Sequence, residues 1–73
     1  MDKQRFHQLL SLASRHLAEA QQVIRQQEQI ISDLMSKGAD TREAQALLER
    51  LWVSADAMAA HQRSIEQQIQ EFE

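Results

Sequence analysis

A heptad repeat runs through this chain up to one glycine and then runs back. Before Gly38, Leu10, Leu17, Ile24 and Ile31 recur every seven residues, as do Phe6, Ala13, Ala20, Gln27 and Leu34. After it come Ala44, Leu51, Met58, Ile65 and Phe72, then Leu48, Ala55, Gln62 and Ile69. An apolar period of seven is the seam of helices that wind about one another. Two such seams on either side of a turn predict an all-α fold, an antiparallel two-helix hairpin with coiled-coil packing.

The local signals agree. Proline is absent and Gly38 is the one glycine. Asp2 is a candidate cap for the first helix. Lys37 stands where a cation suits the negative end of a helix dipole, and Gly38 suits the left-handed position that closes many helices. In Asp40-Thr41-Arg42-Glu43, Asp40 can cap the second helix while Glu43 reaches back, a capping box with Asp in place of Ser or Thr. Residues 1–73 therefore read as one hairpin, with helices over about 3–37 and 41–71 and a turn at 38–40. Uninterrupted helices of this length suit a coiled coil.

Taking the turn to centre near residue 39, reflection sets the layers. They are Leu34/Ala44, Gln27/Leu51, Ala20/Met58, Ala13/Ile65 and Phe6/Phe72 in one series. In the other they are Ile31/Leu48, Ile24/Ala55, Leu17/Gln62 and Leu10/Ile69. Several pair a small residue with a large one, as interdigitated packing requires. Gln27 and Gln62 are the two polar interruptions, and buried polar residues at such positions fix register at some cost in stability. Glu71 and Glu73 are expected near Lys3 and Arg5, a surface pairing worth about 0–1 kcal/mol.

Apolar residues remain outside the seam. Leu9, His16, Val23 and Ile30 flank it on the first helix and Leu47 on the second. Met35, Trp52 and Ala59 lie on the opposite flank, with Val53 and Ala60 further out. Three apolar positions per heptad suit a helix of a bundle better than one of a two-stranded coil. A single core in a domain of this size rarely supplies more than ~3–5 kcal/mol, and with no cysteine the chain has no disulfide to add. The expectation is a homodimer forming a four-helix bundle with twofold symmetry. Leu9, Val23, Ile30 and Leu47 are the expected dimer face, with Trp52 the rival anchor.

Chemistry is sparse. The serines come without a strained turn or glycine elbow, so no enzyme is expected and no cofactor. His16 and His61 fall near the same level across the seam, with Glu19 close by. Two imidazoles fall short of the three or four ligands of a zinc site, and the Glu-x-x-His pattern of di-iron bundles is absent. They read as surface histidines.

The net charge is −3, whereas polyanion binders usually carry a basic surplus. Residues 1–37 hold five basic and four acidic side chains; residues 38–73 hold three and seven. Lys3, Arg5, Arg15 and Arg25 leave one alternative open, a nucleic-acid-binding hairpin dimer like the plasmid copy-number regulator Rop, an analogy of architecture alone. The twelve glutamines are good helix formers interleaved with the apolar period. No run approaches a membrane span, and the first residues lack the apolar stretch of a signal peptide. A soluble cytoplasmic protein is the expectation.

Ile31, Leu34, Gly38, Asp40, Thr41, Ala44, Leu47, Leu48, His61 and Arg63, with HLAEA at 16–20, form a pattern that resembles a group of small, uncharacterised proteobacterial helical-hairpin proteins. The resemblance implies a bacterial source and a helical hairpin. It brings no activity. The leading functional expectation is a non-enzymatic interaction module, a small dimeric adaptor or regulator.

Overall fold

The computed structural model describes residues 3–72, and side chains from Gln4 to Glu71. Helix α1 spans Lys3–Ser36 and helix α2 spans Arg42–Phe72. They fold back on each other into a rod of 55 × 14 × 12 Å. The rod's length matches α1 itself, since 34 residues at 1.5 Å each give about 51 Å. Each boundary next to the turn lies one residue further from it than expected.

Burial follows the heptad. Every described residue of the four repeating series is buried or half-buried. Off the seam, Ala59 alone among the described helical residues is half-buried, and the rest are exposed. The buried core consists of Ala13, Ile24, Ile31, Ala55, Ile65 and Ile69. Ala13, Ile65 and Ile69 form one cluster, with Phe6 and Leu10 packed against it. This combines the expected Ala13/Ile65 and Leu10/Ile69 layers at the open end. The Phe6/Phe72 layer, the Asp2 cap and the pairing of Lys3 and Glu73 lie outside the described residues or side chains.

The turn has a defined closure. Gly38 sits at φ 70°, in the left-handed region that glycine enters without penalty. Its N–H donates to the Met35 carbonyl at 3.0 Å, and the Ala39 N–H donates to the Leu34 carbonyl at 2.9 Å. These two bonds constitute a Schellman motif and satisfy carbonyls that the helix end would otherwise leave open. A methyl group at Gly38 would meet no neighbouring atom within 4 Å, so a substitution there is opposed by backbone conformation, at about 1–2 kcal/mol, rather than by crowding.

The start of α2 departs from the expected capping box. The Thr41 carbonyl accepts the first helical bond, from the Gln45 N–H at 2.8 Å, which makes Thr41 the N-cap. Ala44 is then the third helical residue, and Glu43 stands one place too early to reach back. No described bond joins Glu43 to Asp40. Asp40 still contributes: its Oδ1 accepts the Arg42 N–H at 3.0 Å. The Thr41 hydroxyl accepts from the Gln45 side-chain amide at 3.1 Å.

Candidate interaction surface

Gln27 and Gln62 occupy equivalent roles in the pattern and meet different fates. Gln27 is 8% exposed, and its Nε2 donates to the Ala44 carbonyl at 2.9 Å. The expected facing residue was Leu51, a full heptad further from the turn. The amide instead extends along the seam to backbone, which a small side chain at Ala44 leaves accessible. A carbonyl has two lone pairs, so the Ala44 oxygen can accept this bond and a helical one. Gln62 is half-buried and its Nε2 donates to Glu66 Oε1 on its own helix, at 3.4 Å. Among the described residues no buried side-chain nitrogen or oxygen lacks a partner. The seam is thus a closed structural unit, with no unsatisfied polar atom aimed at a ligand.

The unconsumed surface is apolar. Leu9, Val23 and Ile30 of α1 are exposed at 44%, 44% and 48%. A spacing of seven keeps them on one side of α1, and Leu47 lies on the matching flank of α2, also exposed. Leu12 is a further exposed apolar residue that the sequence reading missed. It stands three residues after Leu9, and the i, i+3 relation was the available signal. It broadens the stripe. Trp52 is on the opposite flank of the hairpin, about half exposed, and Met35 and Val53 are more exposed still. The expected interface residues therefore divide between two sides. Leu9, Val23, Ile30 and Leu47 share one side; Trp52 belongs to the other.

Every described titratable side chain lies at the surface. His16 and His61 are both exposed, and no group of three or more His, Cys, Asp or Glu that could hold a metal occurs among the described residues. The Arg42 guanidinium clasps the Asp40 carboxylate at 2.7 Å with both side chains largely exposed. The hydrogen bonds from that guanidinium, and then the one from the Arg42 backbone, hold the Asp40 carboxyl below its ordinary value, while the carboxylate raises Arg42. So exposed a pair contributes little. Arg5, Arg15 and Arg25 are exposed along the outer side of α1; Arg25 donates to Gln22 Oε1 at 3.3 Å. The described surface hollows are open. One is lined by Arg15, Ala18, Glu19, Gln22 and Val23 of α1 alone, and another by Ala46, Glu49, Arg50 and Val53 of α2 alone. No helix among the described residues is long and apolar enough to cross a membrane.

Comparison of the chain with protein-family models, with curated proteins and with solved structures finds no match.

Proposed function

We propose that the protein is an interaction module: two hairpins associate through the flank of Leu9, Val23, Ile30 and Leu47 into a four-helix bundle that serves as a small, non-enzymatic cytoplasmic adaptor or regulator. The observation that carries this reading is the exposure of Leu9, Val23 and Ile30 on α1 and of Leu47 on α2, all outside the seam. Large exposed apolar residues gathered on one flank mark a candidate interaction site, because leaving them in water forgoes about 25 cal/mol per Å². The fully used seam supports it too, since the hairpin has no further way to bury the flank within itself.

Sedimentation equilibrium of the whole chain tests the assembly. The expected result is a dimer at tens of micromolar concentration, roughly the range in which a micromolar Kd saturates. A stable monomer overturns it. Replacing Val23 and Ile30 together by Glu is expected to split the dimer and leave the helical hairpin; a dimer that survives both changes places the contact elsewhere, with the Trp52 flank next in line. The nucleic-acid alternative draws its support from the exposed arginines of α1. It is the weaker reading because the net charge is −3, and a phosphate-binding surface works through a basic excess.

A further inference from the structure

We infer that Met35 is a peroxide-modification site: its thioether takes up one oxygen while the hairpin stays folded, and the seam shields Met58 from the same reaction.

The two described methionines stand in opposite surroundings. Met35 lies in the last turn of α1, on the flank it shares with Trp52, and is 64% exposed. Met58 belongs to a seam series of α2 and is half-buried. Ala55, one turn before it, and Ile65, one heptad after it, are both in the buried core. The Met35 side chain is thus open to a small dissolved oxidant in the folded chain. Met58 becomes fully accessible only when the helices part, and such opening draws on the stability of the hairpin.

Hydrogen peroxide is the oxidant. A sulfur lone pair attacks one peroxide oxygen, the S–O bond forms and the O–O bond breaks. The departing hydroxide takes up the proton left on the new oxygen. The products are the sulfoxide and water; sulfur gives up two electrons and the peroxide accepts them. An apolar side chain becomes a polar, chiral one.

The consequence depends on the place. At Met35 the new oxygen meets water. The turn there is held by backbone: the Met35 carbonyl accepts from the Gly38 N–H at 3.0 Å, and the Leu34 carbonyl from the Ala39 N–H at 2.9 Å. Neither bond involves the thioether, so the modification changes the surface beside the turn and leaves the closure intact. At Met58 the same oxygen would enter the seam, where a buried acceptor without a partner is costly. The flank of Leu9, Val23, Ile30 and Leu47 is on the other side of the hairpin. Met35 is therefore accessible in a monomer and in a dimer built on that flank alike, and the inference stands apart from the assembly.

The whole chain is treated with dilute hydrogen peroxide at neutral pH, and samples taken over time are digested with trypsin. Cleavage after Arg25, Lys37, Arg50 and Arg63 puts Met35 and Met58 in separate peptides, and fragment masses distinguish oxidation of Met58 from that of Trp52. Met35 is expected to convert at least about fivefold faster than Met58, as susceptibility follows exposure. In concentrated guanidinium chloride both side chains are exposed and the two rates should agree within about twofold. Equal rates in the folded chain overturn the inference. So does a ratio that persists in denaturant, since it would come from local sequence rather than from the fold. Met58→Leu, a nearly volume-conserving change, isolates the effect on the hairpin. Once its Met35 is fully converted, the helical circular dichroism and the urea midpoint should match those of the untreated variant. The double change Met35→Leu with Met58→Leu, treated identically, subtracts any contribution of Met1. A midpoint lowered by conversion of Met35 overturns the claim that the hairpin stays folded.

Discussion

The seam has a different character at its two ends. Next to the turn, a buried glutamine reaches from one helix to the backbone of the other, Gln27 to Ala44. Towards the open end the described core is Ala13, Ile65 and Ile69, with Phe6 and Leu10 against it, and the second seam glutamine turns along its own helix to Glu66. A polar side chain in a coiled-coil core is settled by what stands near it. Beside Gln27 the first turn of α2 presents a carbonyl under an alanine. Gln62 finds its acceptor four residues on, in the carboxylate of Glu66 on its own helix. One residue type in one role thus becomes a directional tie at the turn and an edge residue further out.

The largest expected effect falls on the apolar end. Ile65→Ala or Ile69→Ala truncates one of the two most deeply buried side chains among the described residues, 5% and 6% exposed. Large-to-small core changes cost about 2–5 kcal/mol, and for a domain of this size that approaches the whole stability. Urea titration followed by circular dichroism should show the midpoint collapsing; a shift under about 0.5 kcal/mol, the range of an ordinary surface change, would mean that the cluster does not hold the open end. The next effect sharpens the contrast between the glutamines. Gln27→Ala should cost about 1–2 kcal/mol, from one hydrogen bond and the packing around it, whereas Gln62→Ala should fall within about 0.5 kcal/mol. Equal losses in the same titration would erase the distinction.

The smallest effect concerns the turn and depends on pH. The Asp40 carboxyl is held below 3.8 by Arg42. A group whose folded pKa is depressed adds stability above its unfolded pKa and loses it as pH falls through the folded value. Asp40→Asn should therefore lower the unfolding temperature slightly at neutral pH, and the difference from the unaltered chain should disappear once the pH is well below 3.8. A difference that persists in acid would assign Asp40's contribution to its backbone hydrogen bond rather than to its charge.

Much of this fold was legible in the residues. The period of seven marked every described seam position correctly, because burial along a helix is a matter of angular position and the sequence encodes that angle. Gly38 announced its closure because among the twenty residues it alone enters the left-handed region freely. The exposed flank was legible as a remainder: apolar residues that the seam could not use. Leu12 escaped notice since it belongs to no apolar heptad series, and only its i, i+3 relation to Leu9 marked it.

Other features were not set by spacing. Asp40 looked like the N-cap because its side chain and spacing fit; Thr41 took that place because its carbonyl is the one the Gln45 N–H reaches. By itself the sequence determined two helices, their shared seam and the apolar surplus beside it, since each is a periodic property of one strand of chain. Only the tertiary structure decided that Gln27 would bond Ala44 while Gln62 turned to Glu66. A hydrogen bond depends on distances of a few tenths of an ångström between groups far apart in the chain, and no spacing within either helix sets those distances.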